Sequence, residues 1–257
     1  MNDSRAAVLG GLASLLALAA YAVLAGIAPT PVSEPTPRIP SLLFAVIVPG
    51  TVAACVGAGV VLLRRRFALR GPIAGLVVGA ILAAITTPSE GEAWLLVLGA
   101  PAWLTLLAAG ELLGRWVGAR RAGTTLPRTE RAGVVGSVAG LGYWLVFVAF
   151  AVVPAWSTPD PPGRPGVVEA ALTLAFLAGA FCLLVGVPVA LARRGGPYSP
   201  LVVPAVWVGY NLLTGWGLYD GEVAVLAFTL AWPAALVAIG ALAAVETAVR
   251  WGWRRFS

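Results

Sequence analysis

Hydrophobic positions in this chain do not alternate with polar ones. They run on for 17 residues or more before a break of arginine, proline or acidic residues. Eight such runs stand out, at about 6–28, 40–63, 71–87, 94–114, 132–154, 167–192, 201–217 and 223–247. Each is close to the ~20 residues an α-helix needs to cross a bilayer core, whereas barrel strands would alternate over segments of about ten. The pattern predicts an all-α, polytopic integral membrane protein. It has eight transmembrane helices in two tandem, parallel-oriented four-helix repeats, over 1–129 and 130–257. The first run ends in Ala-Leu-Ala-Ala like a signal peptide, but its counterpart at 132–154 is internal, so it is expected to stay as a helix.

The repeat is visible residue by residue. Glu111 to Trp116 (Glu-Leu-Leu-Gly-Arg-Trp) returns as Glu246 to Trp251 (Glu-Thr-Ala-Val-Arg-Trp), each time where an apolar stretch ends. Sliding residues 4–40 onto 130–166 with a shift of 126 gives 9 matches in 37 positions, including Arg5/Arg131, Gly10/Gly136, Pro35/Pro161 and Arg38/Arg164. So apolar a composition gives about four by chance, and the polar matches carry the argument. Further on, with small insertions, Cys55 answers Cys182, Pro72 answers Pro200, Thr86 answers Thr214, and Glu90-Gly-Glu92 answers Asp220-Gly-Glu222.

The breaks set orientation. All 17 basic residues are arginines, and fifteen fall at breaks on one side, with only Arg38 and Arg164 opposite. Basic loops stay on the cytoplasmic side, which places both termini in the cytoplasm of a cell-membrane protein. The outer loops are then near 29–39, 88–93, 155–166 and 218–222, and the stretch from Arg115 to Arg131 links the halves. Four helices per repeat make the repeats parallel, related by an axis along the membrane normal.

Composition agrees: 60% of residues are hydrophobic and 11% charged, and mean hydropathy is +0.92. No soluble core of this size could hide so much apolar surface. The net charge of +6 is spread over inner loops and tails, so it speaks for topogenesis and anionic lipid headgroups and not for nucleic acid. Membrane lipids are therefore the expected partner at the arginine-rich inner face; a membrane-protein partner stays open.

The chain has no histidine and no lysine. The commonest general base, the usual imidazole ligand and any Schiff-base amine are thereby missing. No nucleophile elbow, Walker loop or mid-membrane acidic pair is present either. The expectation is a non-enzymatic protein without metal or cofactor. Cys55 and Cys182, lying inside helices without neighbouring ligands, read as small hydrophobes.

Three sets of polar residues remain. Glu111/Arg115 and Glu246/Arg250 are spaced i, i+4 with the acid first, so each pair can neutralise itself at the inner interface beside Trp116 or Trp251. They read as belt anchors, or as an inner gate whose ion pairs exchange across the halves. Glu90, Glu92, Asp220 and Glu222 come from equivalent outer turns and could ring a cation-collecting vestibule; flexible polar turns explain them equally. The shortest runs, 71–87 and 201–217, hold matching proline and glycine interruptions, and the second holds Tyr210, Asn211 and Thr214, the densest polar group within a span. Matched, interrupted helices point to a transport site, while an intramembrane amide can also simply bond a neighbouring helix. Gly75/Gly79, Gly110/Gly114 and Gly136/Gly140 read as close helix contacts, and Pro49, Pro101, Pro188 and Pro233 as kinks.

Two functions follow from this inventory. One is a small-solute transporter or channel with its pathway between the halves. The other is a non-catalytic membrane scaffold or accessory subunit, favoured by how few polar residues the spans offer. A mid-membrane acid for proton coupling is missing from the sequence pattern.

Overall fold

The computed structural model describes residues 5–6, 8–14, 16, 53–54, 56–65, 67–86, 90–157, 166–213 and 221–256, with side chains left aside at 79–98, 155–156, 169, 211–212, 221–234 and 254–256. Every regular element among them is helical. Besides helical residues around 8–14 and 56–65 there are eight α-helices. They are α1 Gly71–Thr86, α2 Glu90–Arg121, α3 Arg128–Phe147, α4 Val153–Trp156, α5 Val167–Phe181, α6 Val187–Arg193, α7 Val202–Leu213 and α8 Gly221–Phe256. Contacts divide the chain into two compact units, Met1–Leu104 and Thr105–Ser257, with the boundary inside α2.

In the first unit the helical stretches around 10 and 57 touch backbone to backbone. A Cβ on Gly10 would lie 2.7 Å from the Gly57 carbonyl oxygen and 2.6 Å from Val61 Cγ2, and one on Gly11 would lie 3.1 Å from the Ala54 oxygen. Partner numbers fall on one side as they rise on the other, so the two stretches are antiparallel. Leu69 and Pro72 are fully buried where the chain turns into α1.

The second unit is built on a similar contact. A Cβ on Gly186 would lie 2.7 Å from the Gly136 carbonyl oxygen, and one on Gly140 would strike the backbone of Phe181 and Cys182. The sums 136+186 and 140+182 are equal, so the two rods run antiparallel with glycine facing backbone at successive turns. Beside this seam Phe181, 1% exposed, receives Tyr143 edge-on at a centroid distance of 5.0 Å and Phe147 at 5.2 Å. Ser137, buried at the seam, donates its hydroxyl to the Gly133 carbonyl one turn back, at 2.9 Å.

Both rods contain a π turn, and both π turns lead into a proline. Val148–Val152 joins α3 to α4 ahead of Pro154, and Cys182–Gly186 joins α5 to α6 ahead of Pro188. A proline ring collides with the carbonyl four residues back, and widening the preceding turn moves that carbonyl aside without ending the helix. Pro188 thus acts through a π turn. Pro101 lies inside α2.

Among the described residues three continuous segments are long and apolar enough to cross a membrane: Arg128–Val152, Ala170–Arg193 and Ala235–Trp253. Phe147, Leu177 and Phe181 are buried in them, while Val138, Leu145, Phe150 and Val237 on the same segments are more than half exposed.

Several boundaries differ from the sequence pattern. The outer loop expected at 88–93 and the one at 218–222 end sooner, because Glu90 opens α2 and Gly221 opens α8. Acidic residue types suit the positive end of a helix dipole, so the charges here fall within the helix starts. The link from Arg115 to Arg131 is mostly helix, leaving only 122–127 as a turn. Gly110 and Gly114 are not close contacts, since a Cβ on either meets nothing within 4 Å. Cys55 and Pro49 lie outside the described residues.

The glycine seam predicts a contrast in stability. Gly136→Ala forces a methyl against the Gly186 carbonyl and should destabilise the detergent-solubilised protein by about 1–3 kcal/mol. Gly142→Ala, on the same helix with open space around it, should be neutral or slightly stabilising. Thermal unfolding of the two variants separates them; equal melting temperatures would mean that the seam is loose.

Candidate functional site at the arginine-bearing helix ends

The clearest polar constructions sit where helices end in arginine. Near the end of α2, Glu111 and Arg115 lie one turn apart and pair at 2.8 Å. Arg115 also reaches Glu130 in the first turn of α3, at 3.1 Å. Below them a Cβ on Gly133 would lie 2.9 Å from Leu112 Cδ1. The pairs 115/130 and 112/133 have one sum, so α2 and α3 form an antiparallel hairpin closed by the turn 122–127. Arg115 is the bolt of that hairpin, with its guanidinium fork shared between carboxylates from both arms. Arg120 lies over the Trp116 ring, 4.2 Å from its centroid.

At the other end, Glu246 and Arg250 of α8 form an ion pair and together grip the turn before α7. The Ser199 backbone N–H donates to Glu246 Oε2 at 2.6 Å, the Ser199 hydroxyl donates to the Leu242 carbonyl at 2.9 Å, and Arg250 donates to the Gly196 carbonyl at 3.2 Å. Arg250 also faces the Tyr198 ring at 5.5 Å. The short 3₁₀ turn Ser199–Leu201 has no side-chain cap of its own. Glu246 supplies that cap from another helix, satisfying one of the donors that a helix start leaves open.

Both helix ends are closed the same way. After α2, Gly123 has φ +66° and the Thr124 N–H returns to the Ala119 carbonyl; after α6, Gly195 has φ +80° and the Gly196 N–H returns to the Leu191 carbonyl. These are Schellman ends, for which glycine is the natural residue. Arg120 and Arg121 in the last turn of α2, and Arg193 in that of α6, sit at the negative end of the helix dipole.

The i, i+4 pairs expected from the sequence are thus formed, and each is also bonded to an adjacent segment. Sequence spacing did not single out Glu130, Gly196, Tyr198 or Ser199. The only sequence signal was the Gly-Gly before Pro-Tyr-Ser-Pro, which marks a tight turn needing an outside partner. Tyr210 is half-exposed on α7. Asn211 lies in the same helix, and Glu90, Glu92 and Glu222 fall in the first turns of α2 and α8. Thr214 and Asp220 lie outside the described residues. No family model, curated protein or solved structure matches this chain.

A double-mutant cycle checks the bolt. Arg115→Gln and Glu130→Gln should each lower the melting temperature, and their combination should fall short of the sum by roughly 0.5–1 kcal/mol. Glu246→Ala should in addition raise the rate of proteolysis within 194–199, since the Ser199 N–H loses its acceptor. Additive effects in the cycle would mean that Arg115 and Glu130 do not act on each other.

Proposed function

We propose that the chain is an eight-span, non-enzymatic protein of the cell membrane with both termini in the cytoplasm, and that its duplicated halves serve the passage of a small solute. The observation that carries the membrane part is the exposed apolar surface of segments long enough to span. Large apolar side chains are exposed along the three segments that could span, and the Ala235–Trp253 segment is only 6% buried. Such a surface is stable only where the solvent is hydrocarbon.

The duplication draws support from the two glycine seams. Gly10 meets Gly57 and Val61; Gly136 meets Gly186 and Ala190. Gly10 and Gly136 are paired by the shift of 126, and each meets a glycine of an antiparallel stretch, although these partners, Gly57 and Gly186, stand 129 apart. Tandem repeats are a common basis of transporter folds, and their interrupted helices form the pathway. On this reading the glycine seams are the rigid parts. Helices α1 and α7, with Tyr210, Asn211 and Thr214, are the candidates for solute contact, and Glu90, Glu92, Asp220 and Glu222 for an outer cation-collecting rim.

A second reading, a scaffold or accessory subunit, is favoured by the dryness of the interior. Ser137 is the one buried polar residue among those described, and its hydroxyl is taken by Gly133. Sealed vesicles with purified protein separate the two. On the transport reading, efflux of small solutes of graded size and charge should exceed that from empty vesicles and fall when Asn211 is replaced by Leu. Leak at the empty-vesicle level for every solute would leave the scaffold. On both readings the chain stays with the membrane after an alkaline carbonate wash, and Cys182, buried beside Ser137, resists a membrane-impermeant maleimide until denaturation.

A further inference from the structure

We propose that the tip of the α2–α3 hairpin is a binding surface for the headgroups of anionic phospholipids, with phosphatidylglycerol as the representative ligand. The inference rests on the membrane reading above and concerns one inner loop of it. The tip carries Arg120 and Arg121 at the end of α2, and Arg128 and Arg131 at the start of α3, joined by the six-residue turn 122–127. All four are exposed. The acids on this hairpin that could dilute them, Glu111 and Glu130, are both drawn inward onto Arg115. Among the described residues no ion pair reaches any of the four.

The hairpin therefore sorts its charges. One arginine takes both acids, and four are left facing outward without a counter-charge. Charge sorting of this kind goes beyond what the positive-inside rule requires, since that rule counts arginines and is indifferent to acids. Trp116 adds the second part of the fit. Its ring lies under Arg120, so one guanidinium face is covered by an aromatic of the kind that settles at headgroup depth. The edge of that guanidinium keeps its N–H donors for phosphate oxygens, which it can meet two at a time. At the turn before α7 the arginine that reaches it, Arg250, is instead committed to Glu246 and Gly196.

The test uses the full chain reconstituted in mixed phosphatidylcholine and phosphatidylglycerol, released gently, with retained lipid read by native mass spectrometry. The wild-type protein should keep phosphatidylglycerol over phosphatidylcholine, and high salt should reduce the preference because exposed charges are screened. Each arginine near a charged surface is worth on the order of fivefold in association. The variant Arg120→Gln/Arg121→Gln/Arg128→Gln/Arg131→Gln should lose at least about tenfold, whereas the four Arg→Lys changes should retain most of the preference. A melting curve shows that each variant is folded, and the Lys variant keeps the test decisive if the Gln variant is not. An equal loss on Arg193→Gln/Arg194→Gln would mean diffuse inner charge and overturn the proposal. So would displacement of the lipid by equimolar inorganic phosphate, which would point to a free-anion site. Equal retention of both lipids by a chain that survives the carbonate wash overturns the tip alone, and release by carbonate overturns the membrane reading instead.

Discussion

On the membrane reading, the structure depends on how two helices can hold each other when the surrounding solvent is as apolar as they are. Burying leucine against leucine gains little in a bilayer, so association falls to close van der Waals contact and to the few polar bonds available. The seam of Gly136, Gly140, Cys182 and Gly186 meets that condition, because backbone touches backbone along it with no side chain between. Its tightness decides what can sit beside it. Ser137 fits there because its hydroxyl turns back to Gly133, and Phe181 fits because Tyr143 and Phe147 close over it one and two turns along α3. A proline at 188 would normally break so straight a rod. The π turn at Cys182–Gly186 absorbs the collision and lets the helix go on to Arg193.

The same solvent governs the charges. A carboxylate near hydrocarbon is tolerated when it has a cation and hydrogen-bond donors in place. Glu246 has both, from Arg250 and from the Ser199 backbone, and the resulting knot fixes the turn that starts α7. Arg115 does the corresponding work between α2 and α3 with two acids, where Arg250 has one acid and the Gly196 carbonyl. The Glu-x-x-x-Arg-Trp spacing is the same at both places while the attached segments differ, so the motif provides an ion-paired strong point to which different neighbours are tied.

Much of this was legible from residue order, and what was not has a physical reason. The rods at 128–156 and 167–193 follow from unbroken apolar runs, and the contact at Gly136 and Gly140 from their four-residue spacing. Gly110 and Gly114 have the same spacing and no contact, since spacing puts glycines on one face without saying what that face meets. Helix ends were read too short at Glu90, Arg121 and Phe256, because a charge signals the edge of hydrocarbon while a helix continues into water. Glu130 and Ser199 were invisible as partners, because their bonds span 15 and 47 residues and only the fold brings them together.

On the proposed duplication, the drift between the two halves has a mechanical component. The shift that pairs the sequences is 126 at Arg5/Arg131, 127 at Cys55/Cys182 and 128 at Pro72/Pro200. A π turn accommodates one residue more than the regular turn it replaces, and one lies just after Cys182, where the shift next increases. An extra residue in a lipid-facing helix would ordinarily rotate everything beyond it by about 100° and turn the buried face outward. Confined to a π turn, it leaves the faces on either side in register. That is why Gly136 and Gly140 can both meet the opposite rod, one at Gly186 and one at Cys182, across the widened turn. A helical hairpin can in this way gain a residue, and a proline with it, without losing the seam that holds it together.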